Sequence, residues 1–403
     1  VQLCYQHLQV CYVLQKRYGE ALTLTEYGRS KSLNVYFSTK VPLFEQQGGH
    51  LSIEQMKHLS AQHNCTIVTY SIVSQGQCLI SWVLTPAVSD CQIMSLPQLR
   101  ETRLKAIKDY KDRQLKASLH DEPFDEVEPQ EIPESLNDLS PLDLYDFFLA
   151  PIEHTLPLFG DHHLCILPDH GYWHLPYMSI QHPVEQKKIS ELWIVSLFTS
   201  FAHFKLTMAL KNYSAPKEKL CQGLIISSKT TLDFPMIIPS FQQPWIHKNP
   251  KEEDDLLMID DIPRILYMDL PLDDLPSHNE LFDIFSFEGS FNGLSAKTIA
   301  TSPQWECSGT NLVIVHCRES KDVHLSQFLG FFRAFFVRGI SCFLLLLDSD
   351  DAFLTTFFES LSNSCQVGVS FRASMIAHPS STAYLLGDPF HLTDAPPPVV
   401  QYH

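Results

Sequence analysis

Four short apolar runs constrain this chain more than anything else in it: Leu224-Ile225-Ile226, Ile265-Leu266-Tyr267, Leu312-Val313-Ile314-Val315 and the six residues from Cys342 to Leu347. Each is bounded by polar or turn-forming residues and lacks the alternation of a half-exposed strand, as expected of strands buried on both faces of a parallel sheet. Residues 66–73 and 77–84, flanking Ser74-Gln75-Gly76, read as a hairpin, and Leu164-Cys165-Ile166-Leu167 and Ile284-Phe285-Ser286-Phe287 as two more strands. Helical spacing recurs over 142–149, 325–337 and 351–361, with Gly339 and Asp350 framing the last two elements. Strands alternating with helices define an α/β class with a mostly parallel sheet flanked by helices.

Residues 1–35 depart from that pattern. They read as two helices, with Leu3, Leu8, Val10, Tyr12, Val13 and Leu14 on the first and Tyr18-Gly19-Glu20-Ala21-Leu22 opening the second. A lone helix pair cannot bury its faces, so this reads as the last unit of a helical repeat array. The chain begins with Val1 inside a helix, without an initiator methionine or a signal pattern, and reads as part of a longer protein. The expected organisation is repeat-like helices over 1–40, a β-hairpin and helix segment over 41–120, an acidic proline-containing linker over 121–141, and an α/β core over 142–395 with an insertion at about 229–263.

The formal charge of −17 is unevenly spread. Between Lys116 and Lys187 there is no Lys or Arg but fourteen Asp or Glu, a surface that repels nucleic acid. The densest part, 121–134, also holds Pro123, Pro129 and Pro133, and reads as a solvated loop where basic partners could dock. Just before it, 99–119 has helical spacing and a run of Lys and Arg. No apolar run is long enough to cross a bilayer. Eleven cysteines without a CxxC pair point to a reducing compartment, cytoplasmic or nuclear. His162-His163 and His316-Cys317 are weak metal candidates, because neighbouring strand residues face opposite ways and no second ligand pair follows, so no metal is expected. Gly387-Asp388-Pro389 reads as a closing turn, not a phosphate loop, and no cofactor is implied.

The run from Leu312 ends in His316-Cys317-Arg318-Glu319, and a strand delivers its last side chains to the crevice beyond its carboxyl edge. Taken in order, 144–153, 164–180, Thr199-Ser200 and 378–389 resemble the CHAT domain, a caspase- and separase-related peptidase fold associated with tetratricopeptide repeats. Active members of that family are cysteine endopeptidases with a His-Gly closing one strand and a Cys closing another. The resemblance places Glu288 at the histidine, Gly289 at the glycine, Arg318 at the nucleophile and Glu319 at the acidic residue after it. Both members of the dyad are then replaced, and a carboxylate is a poor substitute for imidazole because its ordinary pKa lies far below that of a thiol, which leaves little driving force for proton transfer. Glu288 and Arg318 suit each other as an ion pair, an expectation that the distance between them decides. Two functions compete: a non-catalytic caspase-like module that binds proteins or peptides and packs against its own repeat array, or an endopeptidase using Cys317 with His170, His174 or His324 as base. His316 is excluded as that base because it faces away from Cys317.

Overall fold

The structure is a computed structural model that describes residues 2–37, 51–73, 78–85, 89–95, 139–169, 172–173, 175–210, 220–227, 245–248, 262–269, 290–291, 294–301, 310–317, 325–347, 351–364 and 366–389. Its strands are β1 (Cys65–Val73), β2 (Cys78–Leu84), β3 (Ser89–Ser95), β4 (His163–Leu167), β5 (Ile194–Leu197), β6 (Leu220–Ser227), β7 (Trp245–Lys248), β8 (Ile262–Asp269), β9 (Ser290–Phe291), β10 (Leu294–Ser295), β11 (Leu312–Cys317), β12 (Cys342–Leu347) and β13 (Thr382–Gly387). All but β9 and β10 join one sheet in the order β3-β2-β1-β4-β5-β13-β12-β11-β8-β6-β7. Neighbours are parallel except at β1–β2, β2–β3 and β12–β13. The expected α/β class is therefore present, and strands from 65–95 and from 163–387 share a single sheet.

The antiparallel step at β12–β13 separates β1, β4, β5 and β13, which run parallel to one another, from β6, β7, β8, β11 and β12, which run parallel to one another in the opposite sense. Thr382, which opens β13, lies beside Leu347, which closes β12, and Leu386 lies beside Leu197 near the end of β5. The carboxyl ends of β1, β4 and β5 thus point to one edge of the sheet and those of β8, β11 and β12 to the other. In an open α/β sheet each such edge is a place where a crevice forms.

The helices are α1 (Gln2–Leu14), α2 (Tyr18–Phe37), α3 (Ile53–His63), α4 (Pro141–Phe148), α5 (Ile189–Leu192), α6 (Phe201–Leu210), α7 (Ala296–Thr301), α8 (Leu329–Val337), α9 (Asp351–Ser364) and α10 (Val367–Ala377). Capping chemistry sets two of the starts. Ser52 and Gln55 close a reciprocal capping box on α3, and Ser140 and Asp143 do the same on α4 with Pro141 at its first position. Such caps each contribute about 1 kcal/mol.

Strand periodicity sorts the core. Val68, Tyr70 and Ile72 of β1 with Leu79 and Val83 of β2 face one side and pack with Phe147 and Phe148 of α4. Cys65 and Ile67 with Ile80, Trp82 and Leu84 face the other and meet Ala21 and Leu22 of α2, Met56 and Leu59 of α3, and Phe201 and Phe204 of α6. The helix pair of residues 1–35 is therefore present and is docked on one face of the first half-sheet.

Two expectations are refined. The helical segment at 325–337 opens as a 3-10 turn, Leu325–Phe328, before α8. Within the stretch read as an insertion, Trp245–Lys248 forms an outer strand parallel to β6. The basic segment at 99–119, the acidic stretch at 121–134 and the strand at 284–287 lie outside the described residues.

Candidate functional site

The edge where β8, β11 and β12 end carries Cys317 and His316, around which the sequence suggested a dyad. Cys317 closes β11 in register with Leu347 and is fully buried. Its neighbour His316, equally buried, lies on the opposite face of the strand. There its Nδ1 is 2.9 Å from the Tyr267 hydroxyl of β8, whose ring meets the imidazole edge-on. The register explains the contact: Tyr267 pairs with Ile314 and Asp269 with His316, so all four residues share one face of a parallel ladder. The His316 ring is thus held among core side chains. Glu288, Gly289, Arg318, Glu319, His170, His174 and His324 lie outside the described residues. Both strands flanking β11 are described, and the residue beside His316 at the end of β8 is Asp269, a position the sequence reading did not single out.

No thiol with a resolved shift is poised for attack. The adjacent Cys165 thiol, together with burial, pushes Cys65 up; burial alone raises Cys78, and burial with Asp90 raises Cys91 to about 12. A reactive cysteine needs the opposite displacement. Cys65, Cys165, Cys317 and Cys342 are buried, whereas Cys4 and Cys11 on α1 are exposed. Among the described residues no cluster of three or more His, Cys, Asp or Glu is arranged to hold a metal ion, and no helix is long and apolar enough to cross a membrane.

The opposite edge, where β1, β4 and β5 end, is occupied by charged side chains of the helical hairpin. Asp169, just past β4, accepts the Ile72 N–H of β1 at 3.1 Å where the shorter β4 no longer can. Arg29 of α2 is buried and donates to the Thr69 hydroxyl and the Tyr70 carbonyl. One turn earlier on the same face, Glu26 accepts the Phe201 and Ala202 N–H groups at 3.1 and 2.9 Å. Ser200 accepts the N–H of His203 at 3.0 Å, and the His203 Nδ1 accepts that of Thr199 at 3.1 Å. The first three N–H groups of α6, which no helix can satisfy internally, are all taken up in this way. Such charge-assisted bonds contribute about 1.5–3 kcal/mol each, set against the desolvation of a buried carboxylate.

Burial wins at Glu26, raising its pKa to about 7 despite the two N–H donors and the nearby Arg29. Burial, with Arg333 nearby, depresses His203 to about 3, so its ring is neutral. The sequence did carry a signal for this seam. Leu22, Glu26 and Arg29 recur at helical spacing on one stripe of α2, while Thr69 and Ser71 place hydroxyls on the β1 face that Ile67 shares.

No family model matches the sequence, and no curated protein matches it. Among solved structures, two crystal structures of the Saccharomyces cerevisiae separase–securin complex are similar to this chain. One is 11% identical with a TM-score of 0.48, the other 10% identical with a TM-score of 0.46; each comparison covers 92% of this chain and 34% of that chain. The chain spans about a third of the length of the chains it matches.

Proposed function

We propose that this chain is a caspase-like α/β module without peptidase activity, which serves protein or peptide binding in a larger, repeat-containing protein. The observation that carries the reading is the environment at the end of β11: a fully buried Cys317, with His316 on the other face and engaged by Tyr267. Covalent peptide hydrolysis needs an accessible thiolate, an imidazole within hydrogen-bond reach and donors for the oxyanion. In the CHAT-like register, Arg318 and Glu288 stand where the nucleophile and base belong, and neither can do that work. The net charge of −17 favours basic partners, with the acidic stretch at 121–134 as the surface for them.

The test is site-resolved alkylation of the native chain at neutral pH, read by mass spectrometry. Cys4 and Cys11 should label quickly, and Cys317 no faster than buried Cys165 and Cys342. Fast labelling confined to Cys317, with a midpoint well below that of an ordinary thiol, would restore the endopeptidase reading.

A further inference from the structure

The seam between the helical hairpin and the first half-sheet contains a group that the peptidase-like architecture does not use. Glu26 is 2% exposed, and its carboxylate is the contact through which α2 grips the start of α6. Around it, the hairpin is tied to the sheet at three further points: Arg29 to Thr69 and Tyr70, Ser71 to the Gln9 side-chain carbonyl at 2.9 Å, and the Trp82 indole N–H to the Tyr18 carbonyl at 3.2 Å.

We propose that the hairpin is a latch on the first half-sheet, closed with Glu26 protonated and loosened when that carboxyl ionises. The geometry makes the carboxyl the sensitive element. The two N–H donors and Arg29 favour the anion, but burial in a water-free seam costs the anion far more than the neutral carboxyl, and burial is the larger effect. If α2 lifts, the anion regains water. Closing therefore favours proton uptake, and rising pH favours opening. The displacement of Glu26 to about 7 puts that exchange near neutrality.

Other titratable and charged groups lie on the elements packed around the seam. Arg29 stays cationic, and Tyr70 and Tyr177 are raised further above an already high value, mainly by burial. His203 on α6 is held neutral. The remaining ones are Lys205 on α6, Lys57, His58 and His63 on α3, Tyr5, His7 and Tyr12 on α1, Asp169 after β4 and Arg333 of α8 near His203, and the Glu26→Gln comparison separates Glu26 from all of them.

Amide hydrogen exchange on the full chain tests this, with rates corrected for intrinsic pH dependence. Between about pH 5.5 and pH 8, opening of α1 and α2 should rise roughly 30-fold relative to the core strands β11 and β12. In Glu26→Gln, which keeps a neutral acceptor at the seam, that rise should disappear while the hairpin stays docked. Difference infrared spectroscopy of the unmodified chain gives an independent reading: a protonated-carboxyl carbonyl band should be lost over the same pH interval. Hairpin protection that does not change with pH, absence of the band, or a full pH response persisting in Glu26→Gln would each overturn the latch.

Discussion

Gly387 closes β13 with a backbone φ of +86°, in the left-handed region, opposite Cys342 at the start of β12. A Cβ added there would lie 2.2 Å from the Ser341 carbonyl oxygen, a backbone atom that already accepts the Asp388 N–H at 2.8 Å. Two costs follow for Gly387→Ala. A side chain in the left-handed region costs about 1–2 kcal/mol. Relieving the clash means moving backbone at the junction of the two half-sheets, which by the measure of overpacked cores costs about 1–3 kcal/mol more. The expected loss is therefore roughly 2–5 kcal/mol. Gly160 supplies the control, because its φ of +134° is also strained for an L-residue while a Cβ added to it would meet nothing within 4 Å. Gly160→Ala should show only the conformational part, about 1–2 kcal/mol. The assay is urea unfolding of the three chains followed by circular dichroism, with the midpoints compared at a common slope. Equal losses for the two variants would refute the claim that close packing at the β12–β13 junction demands glycine.

Two further outcomes follow from buried polar groups. Tyr267→Phe removes the hydroxyl that meets His316 Nδ1 and should lower stability by about 1–3 kcal/mol in the same assay; an unchanged midpoint would show that this bond contributes nothing. The pH dependence of stability should show two opposed slopes. His203, depressed to about 3 from 6.5, contributes stability present above the unfolded value and lost as pH falls from 6.5 towards 3, in total roughly 5 kcal/mol. Glu26, raised to about 7 from 4.5, contributes stability present below 4.5 and lost as pH rises through 7. Between 4.5 and 6.5 the two cancel, so His203→Gln should turn a plateau into a rise towards acid; a plateau unchanged by the substitution would contradict the assignment.

What was legible in the sequence was what a run of side chains declares by itself. The apolar strands at Leu312 and Cys342, the paired β1 and β2 and the α/β alternation were all readable, because burial on both faces leaves an unbroken apolar signature. Short β5 was hidden because Trp193 to Phe198 reads equally as the end of a helix, and α10 because Ser370 and Ser374 interrupt its apolar stripe while lying buried. The antiparallel step at β13 could not be read, since strand direction is a property of the connections. At the candidate site, the opposed faces of His316 and Cys317 followed from period two. Their burial and the reach of Tyr267, 49 residues from His316 in the chain, depend instead on the register between β8 and β11. The Glu26–Arg29 seam was missed because an acidic and a basic residue one turn apart on a helix normally describe a solvated face.

The place of β13 also bears on how the chain is made. The last of the described strands in chain order sits in the middle of the sheet, between β5 and β12. On a ribosome, β1, β4 and β5 emerge first and β6, β8, β11 and β12 later, so each half can pair internally while its inner margin still lacks a neighbour. Those two margins carry apolar runs, Ile194–Leu197 and Cys342–Leu347, of the kind that recruit strands from other chains. Synthesis must pass Gly387 before the halves can be joined, so the nascent chain depends on whatever shields β5 and β12 until β13 arrives.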